Sequence, residues 1–152
     1  EALAAQDWKR LAAKAVEFGD YFSAQLYFSR EAGALREEGV QSESSMRTAA
    51  ALSNRCHCLQ KLGDMAAAME DARAAASLVP EWVRPWERIG EVSGCLGPSH
   101  ANECYDAWFK AVELHPSSKN IDGLLLASRG VTSASSTAKL KADGDEAMRC
   151  EE

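Results

Sequence analysis

Apolar residues recur along this chain at intervals of three, four and seven, the spacing that places side chains on one face of an α-helix. Trp8, Leu11 and Ala15 form one such set, and later segments repeat it. A glycine ends some of these segments and a proline follows others, as is typical where helices stop. The pattern predicts an all-α fold. Seven helices are expected, at about residues 4–17, 20–37, 45–62, 65–78, 82–96, 100–114 and 118–129.

One skeleton of large and small residues occurs three times, in the first, third and fifth predicted helices. Gly63 and Gly97 are 34 residues apart, each at the end of such a helix, whereas Gly19 lies 44 residues before Gly63. The additional residues fall near 31–45, so the second and third helices are predicted to be extended. The turn that begins at Gly97 is also expected to be longer than its counterparts. The copies read Trp8-x2-Leu11-Ala12-x2-Ala15, Leu52-x2-Arg55-Cys56-x2-Leu59 and Trp86-x2-Ile89-Gly90-x2-Ser93.

A period of 34 residues with this skeleton resembles the tetratricopeptide repeat. The resemblance covers about residues 4–130 and implies a right-handed superhelix of helix pairs, whose inner curve is a groove for another protein. It implies one domain over 1–129, with repeats at about 4–37, 45–80 and 82–116 and a capping helix at 118–129. Residues 130–152 are expected to form a polar linker and an acidic tail.

Polar residues at the predicted groove positions give a more specific resemblance. Lys9, Asn54, Arg84 and Arg88 match the carboxylate-clamp subclass of these domains, which includes the co-chaperone organising protein, the large immunophilins and the mitochondrial import receptors. Members bind the extreme C-terminal Glu-Glu-Val-Asp tails of heat-shock chaperones. The resemblance implies that these four residues bind peptide. Ala13 stands where the family pattern has an asparagine, so one donor of the clamp is absent.

Three functions remain open from the sequence. The first is a co-chaperone adaptor that binds an acidic chaperone tail. The second is a scaffold that binds an internal peptide or a helix of another partner, and the third is the regulatory arm of a larger enzyme. A plainer interpretation of Arg84 and Arg88 is an ordinary charged helix face, since Glu87 and Glu91 lie beside them.

Composition narrows the class of protein further. A net charge of −6 over 152 residues disfavours nucleic acid as the main partner. The sequence contains no apolar stretch long enough to predict insertion into a membrane. Five cysteines, an odd number scattered along the helices, favour a reducing, cytoplasmic location. The chain begins at Glu1 without methionine, so it is expected to be a fragment of something longer.

Several local motifs invite a catalytic or metal-binding interpretation. Cys56-His57-Cys58 has ligand-type residues, but helical residues two apart point in nearly opposite directions, so core packing is predicted. Trp82 and Trp86 are likewise predicted to pack in the core. Residues 143–145, Asp-Gly-Asp, lack the remaining spacing of a calcium loop and are predicted to be solvated. No catalytic motif is found, so the sequence predicts neither an enzyme nor a cofactor.

Overall fold

A computed structural model describes residues 3–39 and 42–131, except for the side chains of 42 and 43. These residues form seven α-helices joined by short turns, and none of them lies in a β-strand. The predicted helices are confirmed, with ends that differ by three residues at most. The helices are α1 (Ala5–Glu17), α2 (Tyr21–Glu37), α3 (Ser42–Leu62), α4 (Met65–Leu78), α5 (Val83–Leu96), α6 (Ala101–Leu114) and α7 (118–131).

Consecutive helices pack against each other from α1 to α6, and α3 also contacts α5 directly. The first helices of the second and third repeats therefore lie side by side, as the inner layer of a solenoid requires. The predicted extension between the first two repeats is confirmed, because α2 has 17 residues and α3 has 21. Gly130 and Val131, predicted to lie in the linker, belong to α7, and the rest of the predicted linker and the acidic tail lie outside the described residues.

A Gly-Asp pair forms each of the first two turns within a repeat. Gly19 and Gly63 have φ values of 75° and 85°, in the left-handed region that glycine adopts at low cost. Asp20 and Asp64 then cap the next helix, since each carboxylate accepts a hydrogen bond from a backbone N–H three residues later, at 3.0 and 3.2 Å. The two residues together reverse the chain between paired helices.

The third turn uses different chemistry. Gly97 keeps a positive φ of 94°, but proline follows it in place of the capping aspartate. The chain makes a short 3₁₀ helix, Pro98–His100, before α6 begins. This turn contains the two additional residues that the spacing between Pro80 and Pro116 predicts.

Small side chains fill the places where helices approach most closely. Ala12 in α1, Cys56 in α3 and Gly90 in α5 occupy the same place in their repeats, and all three are buried. A small residue there lets a neighbouring helix approach closely, as the sequence predicts. Other fully buried alanines line the same contacts: Ala24, Ala68, Ala72, Ala75 and Ala111.

Trp108 of α6 packs the last helix, α7, against the third repeat. Its indole ring lies between Gly90 on α5 and Gly123 on α7, where a β-carbon at either glycine would overlap the ring. Leu124 and Ala127 of α7 pack into the same apolar cluster. The helix at 118–131 therefore covers the last repeat, as a capping helix does.

Arg55 is the main departure from an apolar skeleton, because leucine or isoleucine occupies its place in the other two repeats. Its guanidinium donates two hydrogen bonds to the buried Asp71 of α4, at 2.6 and 2.5 Å, and a third to Ser29 of α2 at 3.0 Å. The planar group thus joins three helices. The hydrogen bond to Asp71 raises the pKa of Arg55, so the guanidinium stays charged.

The two cysteines of the motif at residues 56–58 pack as the sequence predicts, whereas His57 between them is partly exposed. Cys56 and Cys58 are both fully buried, but in different apolar clusters on opposite sides of α3. Burial raises the pKa of Cys56 to about 12 and that of Cys58 to about 11, so both remain neutral thiols at physiological pH.

The two tryptophans also pack as predicted. Trp86 contacts the central cluster and donates to the carbonyl of Pro80 at 2.9 Å, and Trp82 packs beside α3 and α4.

Two alanine substitutions should change stability in opposite directions. Gly90→Ala should lower the free energy of unfolding, because overlap with Trp108 costs about 1–3 kcal/mol and better helix propensity returns about 1 kcal/mol at most. Gly33→Ala in α2 should raise it by about 0.5–1 kcal/mol, since open space surrounds the new methyl group. Chemical denaturation of both variants tests this. Equal shifts would contradict the proposed role of close approach at Gly90.

The buried ion pair should matter far more than an exposed one of similar geometry. Asp71→Ala should destabilise the domain by about 3–5 kcal/mol, because it leaves Arg55 charged and partly buried without its main partner. Glu103→Ala removes a matching two-hydrogen-bond partner from Arg73, but those side chains are 34% and 49% exposed. The control variant, Glu103→Ala, should lower the free energy of unfolding by about 0–1 kcal/mol. Equal decreases in the urea midpoints of the Asp71→Ala and Glu103→Ala variants would show that the buried pair stabilises the fold no more than the exposed one.

Candidate functional site

The inner face of the domain can be followed by repeat register. Residues separated by 44 and then 34 positions, like the turn glycines, hold the same place in the three repeats. One row across the face is Ala13, His57 and Glu91, and the neighbouring row is Arg10, Asn54 and Arg88. The rows from α3 and α5 meet because these two helices are in contact.

Arg88 is the centre of the site. Its side chain is only 15% exposed. Its Nη1 lies 3.3 Å from Nδ1 of His57 on α3 and 3.4 Å from Oε2 of Glu91, one turn further along α5. Its Nε is buried and makes no hydrogen bond within the described part of the chain. The guanidinium is therefore held between two helices by two long contacts of Nη1, and its Nε is enclosed by the fold.

The capping helix supplies a lysine that the repeat pattern does not include. Lys119 of α7 contacts Oε1 of Glu91 at 2.9 Å and Oε2 of Glu87 at 3.6 Å. Burial alone would raise the pKa of Glu91, but the hydrogen bond from Lys119 and the charges of Lys119 and Arg88 outweigh it and lower that pKa. Glu91 is therefore an ionised carboxylate shared between two cations.

The proposed charged-face interpretation holds in part. Arg88 does pair with Glu91, whereas Glu87 pairs with Lys119 of the capping helix. Arg84 is exposed at the start of α5, and no ion pair to it occurs among the described residues. A cation is thus left open to solvent one turn before Arg88.

His57 is the groove residue that the sequence interpretation missed. It was assigned to core packing with its two neighbouring cysteines, but it is partly exposed, and its ring meets that of Tyr21 edge-on at 6.3 Å. Burial first, and then the positive charges of Arg88 and Lys61, hold its pKa below the usual range. The available signal was register, because His57 lies 44 residues after Ala13.

The five predicted site residues divide into two groups. Arg84 and Arg88 both act electrostatically on His57. Asn54 is exposed on α3 one turn before His57. Of these three residues, Arg88 has a direct contact between repeats, its 3.3 Å approach to His57.

Lys9 and Ala13 are both exposed and lie one turn apart on α1. The charge of Lys9 acts on Glu31 of α2, a carboxylate that is only 4% exposed and whose Oε2 has no hydrogen-bond partner among the described residues. Burial raises the pKa of Glu31 to about 6, although Lys9 and Arg47 act in the opposite direction. Lys9 therefore also stabilises a charge inside the fold.

A second surface feature lies away from this groove. A depression of about 690 Å³ opens between α4, α5 and α6, with Trp86 and Ile89 in its lining. The double hydrogen bond between Arg73 and Glu103 lies at its edge. Within residues 3–39 and 42–131, no three His, Cys, Asp or Glu side chains are arranged to hold a metal ion. No helix in these ranges has the length and apolarity needed to cross a bilayer.

Comparison with known proteins identifies solved structures that share this fold. No protein-family model matches the chain, and no curated protein matches it in sequence. Solved structures do. The first TPR of Spaghetti (RPAP3), bound to the HSP90 peptide SRMEEVD, gives a TM-score of 0.71 at 19% identity, covering 84% of this chain and 95% of that one. The Sgt2 TPR domain from Aspergillus fumigatus gives 0.70 at 20% identity, covering 86% and 81%.

A third structure, the myosin chaperone UNC-45 from C. elegans in complex with a Hsp90 peptide, gives 0.69 at 18% identity and covers 93% of this chain but 15% of that one. At such identities the likeness establishes the fold. The chain has the tetratricopeptide-repeat fold, as its 34-residue period predicts.

The raised pKa of Glu31 should make the stability of the domain depend on pH. Its pKa is about 6 in the folded protein against a usual 4.5, so the folded state gains the proton first as pH falls. Its contribution to stability therefore rises between pH 6 and 4.5, and its buried charge is unfavourable above pH 6. Glu31→Gln should stabilise the domain at pH 7 by roughly 1–2 kcal/mol and make little difference near pH 4.5.

Denaturation curves at both pH values measure this effect. Glu37→Gln is the control, because Glu37 is exposed on the same helix. A Glu31→Gln variant that is less stable than the parent at pH 7 would show that the carboxylate is satisfied.

Proposed function

We propose that this domain is a protein–protein interaction module that binds the acidic C-terminal tail of a heat-shock chaperone, of Glu-Glu-Val-Asp type. In this proposal the peptide lies along the inner face, bound by Lys9, Asn54, Arg84 and Arg88, and Ala13 leaves the place of one amide open. The observation that carries the proposal is the position of Arg88. It is a partly buried cation held between α3 and α5 by two long contacts, at 3.3 Å to His57 and 3.4 Å to Glu91.

The chemistry of a chain terminus suits these residue types. A terminal aspartate carries two carboxylates on one residue, and a guanidinium can donate two parallel hydrogen bonds to a carboxylate. Each charge-assisted bond contributes about 1.5–3 kcal/mol. Two or three of them, less the entropy of ordering a flexible tail, are consistent with a micromolar complex at about −8 kcal/mol.

Two solved structures of the same fold support this choice of ligand. One is bound to the HSP90 peptide SRMEEVD, and another is in complex with a Hsp90 peptide. The chain as a whole carries a net charge of −6, so an acidic peptide would be attracted only by a local group of cations. Arg84 and Arg88 supply such a group.

Binding should depend on a free C-terminal carboxylate. A synthetic Met-Glu-Glu-Val-Asp peptide should bind with micromolar Kd. Amidation of its terminus should weaken binding at least about tenfold, the effect of losing roughly one charge-assisted bond. Binding should also weaken between about 0.05 and 0.5 M salt, because exposed charges are screened. Isothermal titration calorimetry measures the Kd of the free-acid peptide, the effect of amidation and the effect of salt. Equal binding of the amidated peptide would favour the alternative, a scaffold for an internal segment.

Variants with exposed side chains test the site without disturbing the core. Arg84→Ala and Asn54→Ala should each weaken binding by about 1–2 kcal/mol while leaving the thermal midpoint unchanged. Lys110→Ala is the matched control, because it removes one positive charge from α6, where Lys110 is 3.8 Å from Glu113. Arg88 is less suitable for this test, since its buried contacts also stabilise the fold.

A further inference from the structure

His57 is not one of the predicted peptide-binding residues, yet its ring contacts Arg88, which is one of them. It occupies the same place in the second repeat as Ala13 does in the first and Glu91 does in the third. Arg88 contacts His57 and Glu91 with the same nitrogen, Nη1. The imidazole therefore lies directly against the cation that would receive a carboxylate.

The contact with Arg88 defines the state of the ring in the free groove. A guanidinium has only donors, so Nδ1 of His57 must accept at 3.3 Å, and the ring proton lies on Nε2. The imidazole is therefore neutral when this contact forms. The groups that surround it are Lys61 on its own helix, Tyr21 on α2, and Arg84, Arg88 and Glu91 on α5.

Charge balance explains why the ring stays neutral. Three of those groups are cations, and the single acid, Glu91, is shared with Lys119. A further positive charge on His57 would be repelled. A carboxylate placed between Arg84 and Arg88 would reduce this positive excess, and an anion favours the imidazolium form.

We propose that His57 is an additional carboxylate-binding residue of the groove, one that becomes protonated when an acidic chain terminus binds. The inference rests on the proposed function of the same groove. On binding, Nη1 of Arg88 turns from Nδ1 of His57 to the ligand carboxylate, Nδ1 takes a proton from the solvent, and the imidazolium then donates to the ligand. His57 thereby supplies a donor in a clamp that lacks the amide at Ala13.

A measurable linkage follows. If the complex binds more protons than the free domain does, affinity rises as pH falls. The terminal and side-chain carboxylates of the peptide have pKa values of about 3.5–4.3, so they stay ionised above about pH 6. Affinity for the peptide should be about three- to tenfold higher near pH 6 than near pH 7.5.

Calorimetry in buffers of different ionisation enthalpy counts the protons taken up. The probe is N-acetylated Met-Glu-Glu-Val-Asp with a free C-terminus, since acetylation removes the titrating amine. The parent domain should take up a fraction of a proton near pH 6 and almost none near pH 7.5. His57→Asn should abolish both the uptake and the pH dependence of Kd. His57→Gln repeats the test if the first variant melts at a lower temperature.

Two controls separate His57 from other titrating groups. Glu31 also titrates near pH 6 beside Lys9, so Glu31→Gln must retain the proton uptake. His115→Asn, in the loop after α6, must retain it as well. Uptake that disappears with Glu31→Gln and persists with His57→Asn would overturn the inference.

The two proposals fail in different ways. Carboxylate-dependent binding without proton uptake would overturn the role of His57 and leave the proposed function standing. Failure of the free-acid peptide to bind, or equal binding of the amidated peptide, would refute the proposed function and this inference with it. An NMR titration adds a direct readout, because the protein has only three histidines. The His57 signal should titrate at a higher pH when the peptide is bound.

Discussion

The close approach of helices through small side chains is the constraint on which the rest of the structure depends. Ala12, Cys56 and Gly90 hold equivalent places, and each lets a neighbouring helix approach closely. Because α3 and α5 are then in contact, residues 31 positions apart meet across the groove, and His57 and Arg88 lie 3.3 Å from each other. A larger side chain at any of these places would separate the helices and, with them, the groups that could share one ligand.

Two charged residues inside the fold show how differently a buried charge can be accommodated. Arg55 replaces an apolar skeleton residue, yet Asp71 and Ser29 satisfy it with three hydrogen bonds. Glu31 is more deeply buried than Arg55, one of its oxygens has no partner in the described part of the chain, and burial raises its pKa. The first arrangement joins three helices through a fixed geometry. The second retains an unfavourable charge on which the positive charge of Lys9 acts, so the lysine proposed for the groove also has an electrostatic role in the fold.

Local chemistry explains how much of the fold could be predicted. Glycine at positive φ, aspartate caps and proline stops act within a few residues of a helix end, so the predicted bounds were accurate wherever they occur. The start of α3 was placed three residues late, in the stretch where the repeat spacing is broken. Periodicity together with the family resemblance also assigned Asn54, Arg84 and Arg88 to the inner face. It could not find the contacts of His57 and Lys119, because those depend on the distance between helices and on a capping helix outside the repeat.

These contacts decide whether Arg88 is available to a ligand. Glu91 alone would compete with any incoming carboxylate for the guanidinium. Lys119 binds the other oxygen of Glu91 at 2.9 Å, a shorter contact than the 3.4 Å to Arg88, so the acid is engaged mainly by the capping helix. Arg88 is thus positioned by long contacts on two sides, and this would lower the entropy that its side chain loses if the proposed ligand binds. The capping helix therefore contributes to the groove as well as to the end of the solenoid, through one side chain that the repeat pattern does not contain.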